Sequence, residues 1–421
     1  MPHPTNLHTK PVLIIGAGIA GLALAQALKE IGVPFLVFER DTAANSRLQG
    51  WALTIHFGLP ELLSLLPPAV SAHIDSTQVN PALAYDRSDS ILINLADCGV
   101  KWRLPPGSGT RKRVSRDRFR KLLMDGLTDN ILWGKTFVDF TAPRDSETVT
   151  AVFSDGSSYE GLLLVGVDGA TSKVRSLLYS LESFPPTPIP ITFLGTSLHV
   201  TGPQIRPVLD LDPVLFQGCH PQSATWMWFS VMDSPSTNGT ASLPYDEQVW
   251  RVQLCLSWPS PGDEEIPGTD AERVQMMRRK SLDFEPRLKA IFHEALPDDH
   301  GPVLRIELAD WCLPSQRNME QGGRVTLAGG AAHTMVMYRG EGFNHAIVDD
   351  YKLVAAIKRI YDPTLSERDL ARAREQAIDE YEFEVSARGS SAVAMCREAC
   401  FDVHQWEKLD ENSAVRKKRV L

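Results

Sequence analysis

The sequence is poor in cysteine, and its cysteines are widely scattered. Six occur among 421 residues, at Cys98, Cys219, Cys255, Cys312, Cys396 and Cys400. This number and spacing exclude a disulfide scaffold of the kind found in small secreted domains. Only the last two lie one helical turn apart, and no histidine or cysteine set near them completes a zinc-ligand pattern. We therefore expect no metal site.

Long apolar runs and an excess of positive charge are also missing. No run reaches the roughly 18 to 20 apolar residues that a membrane-spanning helix needs, and the opening MPHPTNLHTK has no apolar signal core. The chain carries 43 basic and 52 acidic side chains, a net charge of -9, whereas a nucleic-acid-binding protein needs a basic face. We expect a cytoplasmic protein with no membrane span and no nucleic-acid partner.

What the sequence does contain is a dinucleotide-binding pattern in the stretch KPVLIIGAGIAGLALAQALKEIGVPFLVFER. The aliphatic run VLII predicts a buried parallel strand. Gly16, Gly18 and Gly21 follow in G-x-G-x-x-G spacing, and a helical pattern then ends at Gly32. These glycines permit a tight turn, close approach of a pyrophosphate and close helix–strand packing, respectively. Glu39 ends the second strand, where its carboxylate can accept hydrogen bonds from a ribose.

Two further stretches combine a strand, glycines and a helix. In YEGLLLVGVDGATSKVRSLL, a strand leads to Asp168, which would lie at the carboxyl edge of a sheet, where α/β proteins bind ligands. Capping of the following helix is the alternative role for Asp168. In RVTLAGGAAHTMVMYRGEGFNHAIVDDYKLVAAIKRI, Gly340 and Gly342 leave room for a bulky ligand before a long helix. The N-terminus of that helix can stabilise an electron-rich group.

In this order, the three stretches resemble the single-component FAD-dependent monooxygenases of the p-hydroxybenzoate hydroxylase fold, which include salicylate hydroxylase-like and fungal biosynthetic enzymes. GAGIAGL…FER matches the family's dinucleotide motif, VGVDGATSKVR its Asp-Gly motif and LAGGAAHTMVMYRGEGFNHAIVDD its Gly-Asp motif. RLQGWAL, RKRVSRDRFRKLLM and EYEFEVSARGSSAV are similar to further family segments. The resemblance spans about residues 10 to 395.

The resemblance implies an α/β fold. A Rossmann-like FAD-binding domain of the GR2 type, discontinuous in sequence, is joined to an antiparallel β-sheet substrate domain and C-terminal helices. The expected segments are FAD-binding parts at 1–75, 106–182 and 306–360, a substrate-side segment at 76–105, a substrate β-sheet domain at 183–305, and a C-terminal helical segment and tail at 361–421.

The resemblance also assigns site residues. The expected FAD-binding residues are Gly16, Gly18, Gly21, Glu39, Arg47, Gly50, Arg116, Asp168, Gly330, Ala331, Gly340, Gly342 and Phe343. Tyr338 and Arg339 lie nearest the expected flavin face and are the candidate catalytic residues, while His333 is expected to be structural. The sequence has no second G-x-G-x-x-G, so NAD(P)H would visit the bound FAD only transiently.

The chain departs from the family pattern at two positions beside the expected flavin. The family motif reads Gly-Asp-Ala-Ala-His, but here Gly330 stands in place of the aspartate, whose carboxylate binds the ribityl chain of FAD. Losing such a contact costs on the order of 1–3 kcal/mol, so we expect FAD to bind more weakly. Met337 replaces the family's usual proline, which makes the loop less rigid and adds a backbone donor.

Beyond about residue 181 the pattern changes to strands with aromatic side chains. ATWMWFSVMD and EQVWRVQLCLSW alternate as strands, with Trp226 and Trp228 on one face of the first. In the second, Trp250 and Val252 share a face and Arg251 points the other way. DAERVQMMRRKSLDFEPRLKAIF is predicted to be a helix. The tryptophans either line an apolar substrate pocket or fill an ordinary sheet–helix core.

The sequence therefore predicts a monooxygenase that uses FAD, NAD(P)H and O2 to hydroxylate or epoxidise an apolar, aromatic or polyketide-like small molecule, as in secondary metabolism. Gly330 and Met337 leave open an isomerase or cyclase on the same fold, with structural or lost FAD. A non-catalytic ligand-binding protein is the third alternative. The oligomeric state stays open.

Overall fold

The computed structural model describes residues 7–46, 50–83, 90–103, 111–180, 182–260, 264–315 and 321–417. The strands are Val12–Ile15 (β1), Phe35–Phe38 (β2), Leu53–Ile55 (β3), Ile91–Asn94 (β4), Val100–Arg103 (β5), Lys112–Val114 (β6), Ile131–Leu132 (β7), Phe137–Thr141 (β8), Val149–Phe153 (β9), Ser158–Gly161 (β10), Leu163–Gly166 (β11), Thr187–Pro188 (β12), Ile191–Thr201 (β13), Leu215–Cys219 (β14), Trp226–Asp233 (β15), Val249–Pro259 (β16), Leu304–Arg305 (β17), Ala309–Cys312 (β18), Val325–Leu327 (β19) and His333–Thr334 (β20). The α-helices are Ile19–Glu30 (α1), Leu59–Leu65 (α2), Pro68–Ser71 (α3), Arg116–Leu123 (α4), Lys173–Leu178 (α5), Gly202–Leu209 (α6), Pro235–Asn238 (α7), Asp270–Lys280 (α8), Pro286–Ala290 (α9), Gly342–Ile360 (α10) and Glu367–Asp402 (α11).

A five-stranded parallel sheet has the order β19-β11-β1-β2-β7. The chain runs outward from β1 through β2 to β7 and later returns to β11 on the other side of β1. The strand order therefore reverses beside β1, and ligands of such sheets bind at this switch point, beyond the carboxyl ends of the strands. β1, β2, β11 and β19 all end in the predicted motifs, so the topology brings the motifs to one edge.

Local sequence explains the elements that present these motifs. All four residues of β1 are buried, as expected for the centre of a parallel sheet. α1 ends before Gly32, which adopts a left-handed φ of +72°, as the sequence predicts for a helix C-cap. Ser172 caps α5, because its side chain accepts a hydrogen bond from the backbone N–H of Arg175 at 2.9 Å.

A seven-stranded sheet with the order β17-β13-β16-β15-β14-β4-β5 forms the second layer. Its pairs are antiparallel except for β4 with β14. β4 and β5 enter this sheet from the stretch of chain between β3 and β6. The two-stranded pair β3–β6 lies between the layers, since Arg113 of β6 is hydrogen-bonded to Ser230 of β15.

The alternation predicted for β16 is confirmed. Trp250, Val252 and Leu254 lie in one apolar cluster with residues of α8 and α9. On the opposite face, Gln253 is hydrogen-bonded to Ser230 of β15. One face of the sheet is therefore an ordinary core covered by helices, and the other is free to face the layer that contains the parallel sheet.

The prediction of a single helix over 270–292 is wrong, because the structure has two helices in this stretch. α8 ends at Lys280, and α9 begins at Pro286. Proline has no N–H to donate to the preceding turn, so it favours the first turn of a helix over its interior. The C-terminal helix α11, by contrast, extends over 36 residues and packs along α10.

Candidate active site

The first glycine turn has the geometry of a phosphate-binding loop. Gly16 has a φ of +117°, and a Cβ there would lie 2.7 Å from the carbonyl oxygen of Val167. A Cβ at Gly21 would lie 2.1 Å from the carbonyl oxygen of Gly16. Both positions therefore require glycine. A Cβ at Gly18, just before α1, would meet no atom of the described residues within 4 Å, so this helix N-terminus borders space in which an anionic group fits.

Glu39 joins the end of β2 to this turn. The side chain is 7% exposed, and its Oε2 accepts a hydrogen bond from the N–H of Ala17 at 2.9 Å. Its Oε1 accepts one from the N–H of Asp41 at 3.1 Å. A carboxylate can accept about four hydrogen bonds, so Glu39 retains acceptor capacity for ribose hydroxyls while it fixes the turn.

A residue that the sequence reasoning missed also fixes this turn. Arg120 of α4 is buried; its Nε donates to the carbonyl oxygen of Ala17 at 2.9 Å and its Nη1 to that of Ala44 at 2.7 Å. Arg116 lies one helical turn earlier, and its Nη1 would lie 3.6 Å from a Cβ at Gly50. The i, i+4 spacing of the two arginines on an amphipathic helix was the available signal.

Arg47, which the resemblance assigns to FAD, lies outside the described residues.

Asp168 performs the capping role, and it keeps one carboxylate oxygen available for the ligand role. Its Oδ2 accepts hydrogen bonds from the N–H groups of Lys173 at 2.7 Å and Val174 at 3.3 Å, at the start of α5. Its Oδ1 is buried and has no hydrogen-bond partner in the part of the chain that the structure describes. A buried acceptor left without a donor is unfavourable, so this oxygen fits a hydroxyl of a bound ligand.

The third motif lies directly against the second. A Cβ at Gly330 would lie 3.4 Å from the N of Ala170 and from the Cα of Gly169. The first motif touches the same segment, because Gly16 packs on Val167. The three turns therefore converge at one edge of the parallel sheet, as the sequence predicts.

A buried ionic network fixes the third turn. Asp349 of α10 accepts hydrogen bonds from the N–H of Gly329 at 2.7 Å, from His333 Nε2 at 2.6 Å and from Arg388 Nη2 at 2.6 Å. Burial acts to raise the pKa of Asp349, but His333 and Arg388 outweigh it and lower the pKa to about 2. His333 binds this carboxylate, which agrees with the expectation that it is structural.

The start of α10 is open on one side and anchored on the other. Gly340 has a φ of +65°, and a Cβ there would lie more than 4 Å from every atom in the part of the chain that the structure describes. Gly342 is the first residue of the helix, and the ring of Phe343 packs edge-on against Phe119 at 6.1 Å. Ala331 is fully buried under the preceding turn.

Asn344 ties the first turn of α10 to the two-stranded pair. Its Nδ2 donates to the carbonyl oxygen of Thr54 at 3.0 Å. Its Oδ1 accepts from the N–H groups of His56 at 2.8 Å and Gly58 at 3.3 Å. The positive end of the helix dipole is thus held at a fixed distance from β3.

Tyr338 is buried between the layers. Its hydroxyl donates to Ser257 Oγ at 3.0 Å, and Ser257 donates to His404 Nε2 at 2.8 Å. The other nitrogen of His404 must carry the proton, because its partner is the carbonyl oxygen of Cys400 at 2.6 Å. Burial raises the pKa of Tyr338 well above its usual value and lowers the pKa of His404 to about 4.

Arg339 is also buried, and its charge is compensated locally. Its Nε and Nη2 donate to Glu341 Oε1 at 3.0 and 2.7 Å. Tyr338 and Arg339 thus hold the loop before α10 in place, and a direct role for either in chemistry stays a prediction.

The tryptophans of the sheet divide between core and open face. Trp226 is 1% exposed, donates to Gln217 Oε1 at 3.0 Å and packs on Tyr338 at 4.7 Å, so it fills the junction between the layers. Trp228, stacked on it at 6.2 Å, is only half-buried. Trp51 lies across the sheet, because a Cβ at Gly195 would be 2.7 Å from its Cζ2.

These residues fit an extended dinucleotide that also carries a ring system. Two features carry the fit: the open space at Gly18 for a pyrophosphate and the free Oδ1 of Asp168 for a hydroxyl. The open start of α10 offers positive dipole to an electron-rich ring.

Comparison with known proteins decides the family. Residues 113–395 match the family model described as an FAD binding domain, and residues 14–63 match an NAD(P)-binding Rossmann-like domain. The FAD-dependent monooxygenase dbaB of Emericella nidulans is 41% identical over 344 residues, covering 81% of this chain and 85% of that protein. The chain belongs to the FAD-dependent monooxygenases.

Other similar proteins extend the match to nearly the whole monooxygenase chain. A probable FAD-dependent monooxygenase of Arthroderma benhamiae is 37% identical over 424 residues, covering 97% of this chain and 95% of that protein. HpxO of Klebsiella pneumoniae, solved with FAD and uric acid, superimposes with a TM-score of 0.71 at 20% identity, covering 95% of this chain and 90% of that one. At 20% identity, this likeness shows a common fold and nothing about substrate.

Among the described residues, no helix has both the length and the apolar character to cross a bilayer. Over the same ranges, no group of three histidine, cysteine, aspartate or glutamate side chains is arranged to hold a metal ion.

Proposed function

We propose that this monooxygenase hydroxylates or epoxidises an apolar, aromatic or polyketide-like small molecule, with NAD(P)H as the electron donor and O2 as the oxygen source, in the biosynthesis of a secondary metabolite. The observation that carries the proposal is the convergence of three glycine-bearing turns beside a half-buried tryptophan face. Gly330 packs on Gly169, and Gly16 packs on Val167. A cofactor bound along this edge of the parallel sheet would therefore end close to the seven-stranded substrate sheet.

The chain's own residues bind and position the reactants. The turn at Gly16 and Gly18 would hold the pyrophosphate, Glu39 the ribose and Asp168 a hydroxyl of the cofactor. Bound FAD supplies transfer of electrons from NAD(P)H and activation of O2. The N-terminus of α10 favours negative charge that develops beside it, and Trp51 and Trp228 exclude water from the substrate.

NAD(P)H needs no separate domain in this proposal. The NAD(P)-binding Rossmann-like match covers residues 14–63, the same β1–α1–β2 unit whose glycines and Glu39 suit FAD. The fingerprint recognises an adenosine diphosphate in either dinucleotide, so this match supports one resident dinucleotide. The nicotinamide would then reach the flavin as a transient visitor.

We propose a positioning role for Tyr338 through Ser257. The variant Tyr338→Phe keeps the ring between Trp226 and His404 but removes the hydroxyl that reaches β16. Looser placement of the substrate sheet should lower turnover and coupling of NAD(P)H oxidation to product while FAD content stays unchanged. Loss of FAD from this variant would contradict the role.

The deciding experiment is an anaerobic absorption spectrum of freshly purified protein, before and after NADPH. Yellow protein that is bleached by NADPH and then consumes oxygen supports the monooxygenase. Colourless protein that nevertheless converts a substrate supports the second candidate, an isomerase or cyclase, which the missing carboxylate at Gly330 favours. Protein that is inert in both assays refutes both candidates.

A further inference from the structure

Arg113 joins the two-stranded pair to the open face of the substrate sheet. It is the central residue of β6 and pairs in register with Thr54 of β3. Its Nη1 donates to Thr54 Oγ1 at 2.9 Å, and its Nη2 donates to Ser230 Oγ of β15 at 2.9 Å. Both partners are neutral hydroxyls, so they orient the guanidinium without compensating its charge.

No carboxylate within the described ranges compensates the charge of Arg113. Its Nε is buried without a hydrogen-bond partner among those residues, and Arg111 lies close enough to add repulsion. Burial, together with Arg111, lowers the pKa of Arg113 to about 9, so the side chain is still charged at neutral pH. A partly buried cation without a counter-ion is unfavourable unless an anion binds to it.

Neighbouring arginines show the contrast. Arg118 of α4 pairs with Asp233 at 2.8 Å, and Arg251 of β16 lies 3.9 Å from Asp117. Both occupy the same junction between β15, β16 and α4, and both have an acid. Within the described residues, the lack of an acidic partner is therefore specific to Arg113 and not shared by these two neighbouring arginines.

The surroundings of Arg113 suit an aromatic ligand. Its guanidinium lies 5.7 Å from the ring centre of the half-buried Trp228. Thr54, which accepts its hydrogen bond, also accepts one from Asn344 in the first turn of α10. Thr54 therefore links Arg113 to the start of α10, which faces the expected cofactor ring.

We propose that Arg113 binds the anionic group of an aromatic substrate, a carboxylate or a phenolate, and holds the ring against Trp228. This inference rests on the proposed function, whose substrate class it narrows. A planar guanidinium whose Nε–H has no partner among the described residues suits an oxygen anion, which it binds by a charge-assisted hydrogen bond.

The test is binding of small aromatic probes to the FAD-loaded protein at pH 7.5. Benzoate represents the carboxylate, pentafluorophenolate the phenolate and benzamide a neutral compound of similar shape. Binding is followed by quenching of tryptophan fluorescence and by change in the flavin spectrum. We expect at least one anion to bind about 10- to 150-fold more tightly than benzamide, the range that a hydrogen bond to a charged group contributes.

Two variants assign the preference to one residue. Arg113→Gln should abolish the preference of the anion over benzamide, whereas Arg113→Lys, which keeps the charge, should retain part of it. Arg118→Gln is the matched control, since that arginine already has Asp233, and the preference should survive there. FAD content should be unchanged in all three variants.

The inference is overturned if wild-type protein binds benzamide as well as both anions, or if Arg113→Gln keeps the preference. Loss of FAD from Arg113→Gln alone would also overturn it, because the charge would then serve the cofactor. Failure of the proposed function is separate: NADPH would not bleach the flavin, whatever the probes show.

Discussion

Restoring a carboxylate at Gly330 should strengthen FAD binding. The position accepts a side chain, because a Cβ there would lie 3.4 Å from Ala170 N and Gly169 Cα, ordinary van der Waals distances. Its backbone is also outside the left-handed region, unlike that of Gly329, whose φ is +59°. Gly330→Asp is therefore expected to fold without strain.

Two opposing effects set the magnitude. A new hydrogen bond from a cofactor hydroxyl to a carboxylate contributes about 1–3 kcal/mol. Repulsion from the nearby Asp168 opposes this gain, by about 1 kcal/mol at about 4 Å where water screens the two charges and by more where it does not. The hydrogen bond should prevail, with a net gain of up to about 2 kcal/mol, which is roughly 30-fold in FAD affinity.

The assay is titration of FAD into apoprotein, followed by quenching of flavin fluorescence. Gly330→Ala is the matched control, because it adds the Cβ but no acceptor, and its affinity should equal that of the parent. If Gly330→Asp binds FAD no better than Gly330→Ala, residue 330 does not reach the cofactor and the reasoning fails.

Three further perturbations follow from the buried groups. Burial, followed by the charge of Asp349, raises the pKa of Asp350 well above its ordinary 3.8. The folded state therefore holds this proton more strongly than the unfolded state, and the free energy of unfolding falls as pH rises above about 4. Asp350→Asn should remove this loss, so its advantage in urea unfolding over wild type should grow from pH 4 to 8; a constant difference would contradict the shift. Gly389→Val should destabilise α11 by about 1–3 kcal/mol, seen as a lower melting temperature, because even a Cβ would lie 3.2 Å from that of His333. Arg120→Gln should weaken FAD binding at least about fivefold by freeing the first glycine turn, measured by the same fluorescence titration; unchanged affinity would show that the turn holds without it.

Much of the cofactor edge could be predicted from the sequence, because glycine spacing encodes local geometry. A Cβ at Gly16 would collide with the backbone after β11, and a Cβ at Gly21 with the backbone at the end of β1. Both β1 and β11 also end in recognisable motifs. The convergence of the motifs then follows from parallel strands meeting at one sheet edge.

The residues that fix these turns could not be predicted in the same way. Arg388 reaches Asp349 from 39 positions further along the chain, and Tyr338 reaches Ser257 across 81. Such pairs depend on how α11 and the substrate sheet dock against the FAD-binding layer, which short-range patterns do not encode. Pro286 lies inside the stretch predicted as one helix, and because proline favours the first turn of a helix, the division there could have been predicted from the sequence.

The network around Asp349 explains how the chain tolerates glycine at position 330. The N–H of Gly329 and the ring of His333 are both held by the Asp349 carboxylate, which Arg388 orients from α11. The conformation of the turn is therefore set from α10 and α11, with no contribution from the side chain at 330. Loss of the carboxylate there should alter cofactor affinity without altering the shape of the site, which is why Gly330→Asp can change affinity while leaving stability of the apoprotein nearly the same.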